Sequence, residues 1–296
     1  MPELPEVETM RRGIAALSGS RIAEARFPSR GCRALAISPR PDRLAGRLRG
    51  ARLGAIERHG KRVSIGIASM HGDGPAWLVV EPRMTGLLLV ADPPTAKHLR
   101  MELLLEAPAP HPALRFWDQR GLGTIRLVDA AGLERACGPR VLGPDGLTVT
   151  SAALAERLAE SRRAIKVALL DQRVVAGIGN IYAAEILHRA GIDPRTPCRR
   201  LSSADVEGIA AAARRILAAA VAHEGSSIGD ELYRTADNRK GRFQRLHRVY
   251  GREGESCRGC GGRVERIVQA QRSTFFCATC QPKHPRRGLV RRRENA

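Results

Sequence analysis

Two groups of residues in this chain have the types and spacing that do chemistry. The first is the opening segment Pro2-Glu3-Leu4-Pro5-Glu6-Val7-Glu8. With Met1 removed, which the small ring of Pro2 permits, the chain begins with a secondary amine. Its pKa, near the roughly 7.7 to 8.0 of an α-amino group, leaves an unprotonated fraction at neutral pH. Such an amine attacks a carbonyl-like carbon and forms an iminium. Glu3 is the adjacent candidate for a general acid, and Glu6, three residues on, falls near the same helical face. A plainer reading, in which Pro5 opens a helix and the glutamates complement its dipole, is compatible with the first.

The second group is Cys257-x-x-Cys260 and Cys277-x-x-Cys280, with sixteen residues between the pairs. At that spacing two knuckles of a β-hairpin converge on one tetrahedral Zn2+. Four cysteine ligands close the site, so the ion is expected to be structural rather than catalytic. Disulfides are the alternative, and they do not suit a chain without an export signal. Cys32, Cys137 and Cys198 stand apart and are expected to be buried structural thiols. Residues 263–276, between the knuckles, read as a hairpin presenting Arg272, whose planar fork suits a phosphate. A solvated hairpin arginine is the alternative.

These groups sit in a chain of 296 residues with 50 Lys and Arg against 30 Asp and Glu, a net charge of +20. Such a balance speaks of partners rather than fold, and nucleic acid is the leading partner. An anionic membrane surface competes, but no stretch approaches the roughly 20 apolar residues of a membrane span. No secretory signal is visible, so a cytoplasmic protein is expected. Aromatic residues at 3% are too few for a single-strand binder built on base stacking, and contacts to a deformed duplex fit better.

The elements that must position these residues follow from periodicity. An N-terminal helix from Pro5 to about Leu17 precedes short β-like runs at 63–68, 77–81, 87–90, 99–107, 114–117 and 124–128. Breaks such as Gly72-Asp73-Gly74-Pro75 and Asp92-Pro93-Pro94 separate them, and the spacing predicts an antiparallel sandwich or barrel. Gly138-Pro139 and Gly143-Pro144-Asp145 mark a boundary. Helical periodicity follows at 152–159, 165–170, 181–189 and 204–222. Ser202 with Asp205 forms a capping box for the last helix, and Gly191 with Pro194 stops the one before. The segment Gly225 to Gly254 reads as a long, mobile, basic loop, and Lys283 to Ala296 as a disordered basic arm. The expected division is 1–145, 146–250, 251–282 and the tail 283–296, an α+β multidomain chain.

The nucleophilic start, the charge, the segment Gly177-Ile178-Gly179-Asn180-Ile181-Tyr182 and the four-cysteine hairpin together resemble the formamidopyrimidine-DNA glycosylase / endonuclease VIII family from Pro2 to Gln281. The start Pro-Glu-Leu-Pro-Glu-Val-Glu resembles the formamidopyrimidine branch, whereas the endonuclease VIII branch begins Pro-Glu-Gly-Pro. The resemblance implies an N-terminal helix with an antiparallel β-sandwich, a helix-two-turns-helix domain and a zinc hairpin. It implies a base-excision repair enzyme that removes oxidised purines (8-oxoguanine, formamidopyrimidines) from duplex DNA. Cleavage at the abasic site then proceeds through a Schiff base.

By this likeness Pro2 attacks C1′, Glu3 assists sugar opening and proton transfer, and Glu6 orders the site. Lys61, Asn180 and Arg272 grip the lesion phosphates, and Met84 fills the void left by a flipped nucleotide; a core methionine is its plainer reading. Flipping costs a few kcal/mol, which such clamps and wedges offset. In Asp118-Gln119-Arg120-Gly121-Leu122-Gly123 the family's Asp-x-Arg-Arg/Lys-Phe-Gly is altered: Arg120 keeps its register for the orphaned base, but Gly121 and Leu122 replace a basic residue and the phenylalanine wedge. Leucine still wedges, with less stacking than an aromatic ring. The rival readings are a glycosylase for oxidised pyrimidines and a non-catalytic zinc protein that binds damaged DNA. One chain suffices to clamp one lesion, so a monomer is expected.

Overall fold

A computed structural model describes residues 2–28, 31–68, 74–229 and 232–283. Met1, part of the Gly72-Asp73-Gly74-Pro75 break and residues 284–296 of the basic tail lie outside the described residues. The chain opens in helix α1 (Leu4–Ile14), where Pro5 occupies the first turn and the Glu3 backbone N–H donates to Glu6 Oε2 at 2.8 Å. Strands β1 (Ile22–Arg26) and β2 (Ala36–Ser38), helix α2 (Pro41–Leu48) and strands β3 (Arg52–His59) and β4 (Arg62–Ala68) follow. Then come β5 (Ala76–Glu81), β6 (Gly86–Leu89), β7 (Leu99–Leu105), β8 (Ala113–Asp118), β9 (Thr124–Val128) and helix α3 (Ala130–Cys137). They form two sheets, ordered β1-β7-β8-β6 and β2-β9-β5-β4-β3. Pairing is antiparallel except at the edge, where β2 runs parallel to β9.

One apolar core joins both sheets to α1, with Val7, Met10 and Ile14 packed among Leu53, Ile65, Val80, Leu103 and Phe116. Each such buried side chain contributes about 1.5–3 kcal/mol, which fixes α1 and therefore the chain start. Strand β3 escapes the period-two pattern because its register shifts between Leu53 and Ile56, and α2 because Leu44 and Leu48 alone are buried there.

A second core belongs to helices α4 (Ser151–Leu158), α5 (Ile165–Leu169), α6 (Asn180–Ala190) and α7 (Ser203–Ala222), and it includes Leu4. Ser202 and Asp205 cap α7 reciprocally at 2.8 and 3.2 Å, and Gly191 ends α6 in the left-handed region at φ 71°. Strands β10 (Val264–Gln269) and β11 (Arg272–Cys277) form the C-terminal hairpin.

Two expectations need correction. The described part of the segment 225–254 is irregular but anchored: Tyr233 and Ala236 enter the sheet core, Phe243 enters the helical core, and Ser226, Ser227 and His247 are buried. Its backbone is held by turn and side-chain bonds, such as Ser227 Oγ donating to the Tyr233 carbonyl, so it shows no periodicity. Of the isolated cysteines only Cys198 is buried, while Cys32, in the loop before β2, and Cys137, at the end of α3, lie half-buried.

Candidate active site

Glu3 and Glu6 of the opening segment are each 1% exposed. Glu3 reaches across to the start of α6, where its carboxylate accepts N–H groups of Gly179, Ile181 and Tyr182 at 2.7, 2.9 and 3.4 Å. These are orphan donors of a helix N-terminus, the natural seat of an anion. Glycine is required at 179, since a Cβ there would collide with the Glu3 carboxylate. Gly177, at φ 97°, lets its carbonyl accept the Leu4 N–H at 2.9 Å. Glu6 accepts from the Glu3 N–H, from Tyr182 Oη at 2.5 Å and from the Ser226 N–H at 2.8 Å. Burial first, and the Glu3 charge next, push its pKa up to about 7 against these hydrogen bonds. Pro2 is buried and lines a small pocket with Met84, Thr85, Ser226 and Tyr233.

Cations surround this corner. Lys61 sits in the β3–β4 turn beside Gly60, which adopts φ 58°. Burial and the charge of Arg272 hold its ammonium below the ordinary lysine range, and Glu3 and Glu6 oppose them. Arg272 is exposed at the tip of the zinc hairpin, where Ala270 and Gln271 take φ 47° and 59°, the two positive values of a type I′ turn. Asn180 Nδ2 donates to the Ser273 carbonyl at 3.0 Å, tying α6 to that hairpin. Lys166 was not expected. It is fully buried, its Nζ has no hydrogen-bond partner among the described residues, and burial with Arg272 nearby lowers its pKa to about 8. Its signal was a lone lysine in the apolar run Ala164-Ile165-Lys166-Val167-Ala168-Leu169, one charge that such a core does not tolerate without a use.

Met84 is half-buried in the turn between β5 and β6, not a core methionine. The next residue, Thr85, donates through Oγ1 to Asp118 and accepts the Arg120 N–H at 3.0 Å. Asp118, which has no exposed surface, also accepts the Gly123 N–H at 2.8 Å, and its carbonyl accepts Arg100 Nε at 2.9 Å. One carboxylate thus braces the loops that carry Met84, Arg120 and Leu122, with Arg120 exposed and Leu122 half-buried. Gly121 fits its place, because φ is 61° and a Cβ would press on the Arg33 carbonyl at 3.0 Å.

Residues 1–125 match the formamidopyrimidine-DNA glycosylase N-terminal domain and residues 142–231 its H2TH domain, while residues 254–283 match a zinc finger found in FPG and IleRS. A formamidopyrimidine-DNA glycosylase of Chloroflexus aurantiacus is 42% identical over 289 residues, covering 95% of this chain and 98% of its own. The chain belongs to the formamidopyrimidine-DNA glycosylase family. The FPG protein of Thermus thermophilus superposes with a TM-score of 0.80 at 36% identity, covering 96% of this chain and all of that one. The Lactococcus lactis FPG in complex with abasic-site DNA gives 0.81 at 30% identity, over 95% and 100% of the two chains.

In this member of the formamidopyrimidine-DNA glycosylase family the four cysteines of the zinc finger bring their sulfurs within 4.8 Å of one another. Cys257 and Cys280 stand 3.8 Å apart, Cys260 and Cys277 3.5 Å, near the edge length of about 3.8 Å that Zn–S bonds of about 2.3 Å give a tetrahedron. Backbone N–H groups of Gly259 and Gly262 donate to Cys257 and Cys260 at 3.4 Å, suiting thiolates. The donor set fits one structural Zn2+, held by Cys257, Cys260, Cys277 and Cys280. Among the described residues no helix is long and apolar enough to cross a membrane.

Proposed function

We propose that this chain removes oxidised purines from duplex DNA and then cuts the backbone at the resulting abasic site, as a bifunctional glycosylase and lyase of base-excision repair. The buried Pro2 corner carries the reading. The Pro2 nitrogen attacks C1′ of a flipped nucleotide and the glycosidic bond breaks with its electron pair leaving on the base; the amine then gives up its proton, the C1′–O4′ bond breaks with its pair on O4′, which takes a proton, and the nitrogen lone pair closes the iminium. Glu3 is positioned by the α6 amides to exchange a proton with the opening sugar, and Glu6 holds the Glu3 amide in place.

Lys61, Arg272 and the buried Lys166 supply positive charge for the lesion phosphates, and Asn180 supplies an amide N–H donor. Met84, Leu122 and Arg120 fill and read the gap left by flipping. Zinc keeps Arg272 on its platform. The functional units are 1–145 for chemistry, 146–250 and 251–282 for grip, acting as a monomer on cytoplasmic, nucleoid DNA.

Borohydride reduction of a reaction on abasic DNA tests this, because only an iminium becomes a permanent link. Mass spectrometry is expected to place that link on Pro2. A link on Lys61 or Lys166, or none at all, overturns the assignment.

A further inference from the structure

The polar groups behind Glu6 continue past its immediate partners. Tyr182 Oη lies 2.5 Å from Glu6 Oε1 and 3.3 Å from Ser226 Oγ, and Ser226 Oγ lies 3.0 Å from Nε2 of His247. All four side chains are buried, none more than 3% exposed. They come from α1, from α6, from the segment after α7 and from the turn after Phe243–Leu246. The chemistry proposed at Pro2 makes no use of an imidazole.

Each hydroxyl carries one proton, so the chain runs in one of two directions. With Glu6 protonated and His247 neutral, Glu6 donates to Tyr182, Tyr182 to Ser226 and Ser226 to Nε2. With Glu6 ionised and His247 an imidazolium, every donor reverses. The reversal moves one proton from Glu6 Oε1 to His247 Nε2, and each hydroxyl gives one proton and receives one. Atoms and charge balance without any co-reactant.

We propose that His247 is a positioning residue for the lesion chemistry: it exchanges a proton with Glu6 through Ser226 and Tyr182, and so sets whether the carboxyl beside Glu3 and Pro2 is charged. The inference rests on Pro2 as the nucleophile. An ionised neighbour favours the ammonium form of that amine, and a neutral one frees it. Burial lowers the affinity of His247 for a proton and raises that of Glu6, so the neutral pair with the proton on Glu6 is favoured and the two buried hydroxyls give that proton its path to Nε2. Other groups face the chain. The Glu185 carboxylate on α6, which accepts the Arg248, Val249 and Tyr250 amides, favours the imidazolium, as does the Tyr250 backbone. Arg258 of the zinc knuckle opposes them, and the Phe243 and Tyr250 rings pack edge-on at 5.7 and 5.8 Å.

The test follows the Glu6 carboxyl by difference infrared titration of the DNA-free protein, the band being identified by its loss in Glu6→Gln. His247→Leu removes the distant proton acceptor, so the Glu6 midpoint is expected to rise by about half a pH unit or more. Ser226→Ala breaks the chain while keeping the amide that holds Glu6, and should give the same rise. The double variant should go no further. His247→Gln keeps a hydrogen bond to Ser226 but cannot titrate, and should match His247→Leu. The pH profile of single-turnover excision should move with the carboxyl midpoint. Unmoved midpoints in Ser226→Ala and in folded His247→Leu, or a His247→Gln protein that titrates like the parent, overturn the proposal. A moved midpoint together with a borohydride link away from Pro2 would leave the proton exchange standing and remove the nucleophile.

Discussion

Around Pro2, carboxylates reach between domains to backbone amides and every partner is buried, whereas the loops bearing Met84, Arg120 and Leu122 are braced within one sheet domain by Asp118 and leave Arg120 exposed and the other two half-buried. The first region is over-determined: Glu3 and Glu6 together accept six hydrogen bonds from three separate parts of the chain. The second is held by Asp118 with Arg100 on its carbonyl, and the side chains of Arg120 and Leu122 take no part in that bracing. Gly121 and Leu122, where the sequence differs from the pattern that the resemblance implies, lie in this second region. Under the proposed function, the bonded frame holds the chemistry, and the residues that read the damaged duplex stand outside the bracing.

Breaking the rigid side should have the largest effect. Pro2→Gly and Glu3→Gln are each expected to cut base excision by at least about 100-fold in single-turnover assays, with lesion-DNA affinity retained. Cys277→Ser, or chelation of the zinc, should weaken lesion-DNA binding by about tenfold or more while leaving the amine intact, because Arg272 and the Ser273 partner of Asn180 lose their platform. Metal analysis should find one zinc per chain. An apo protein that binds DNA as well as the loaded one would refute the platform.

Asp118→Asn tests the brace. Losing charged acceptors for Thr85 and Gly123 should cost about 1–3 kcal/mol, seen as a lower melting temperature, and should slow excision from duplex more than cleavage of a preformed abasic site. The pH dependence of the rigid corner has a definite sign. Glu6 has a folded pKa of about 7 against an ordinary 4.5, so the unfolded chain holds fewer protons between those values and stability falls as pH rises through them. Glu6→Gln should therefore gain melting temperature relative to the parent as pH goes from 4.5 to above 7, and a constant gap would contradict the buried titration. The smallest effect is expected at Leu122: Leu122→Ala should slow lesion capture from duplex a few-fold and abasic cleavage less, and Leu122→Phe should match or exceed the parent. Equal losses on both substrates would make Leu122 a packing residue.

Much of this was legible in the chain. The cysteine spacing, the Ser202–Asp205 cap and the Pro-Glu start are local patterns whose chemistry is complete within a few residues. Lys166 was hidden because its meaning depends on Arg272 and Glu3, distant in sequence and adjacent in space. Asp118 was read as part of a loop motif, but its role as a brace lies in bonds to Thr85 and Gly123 that no periodicity announces. The segment after α7 looked mobile because its buried residues are divided between two cores, Tyr233 and Ala236 in one and Phe243 in the other, which leaves no repeating spacing to detect.

The bonds that seat Glu3 and Glu6 also carry a consequence for timing. The amine leaves the ribosome first, yet the residues that fasten the two glutamates emerge 176 and 220 positions later. A half-made or truncated chain therefore carries Pro2 without the partners that seat its two neighbouring glutamates. The frame that seats Glu3 and Glu6 beside Pro2 is completed only when the chain is nearly whole.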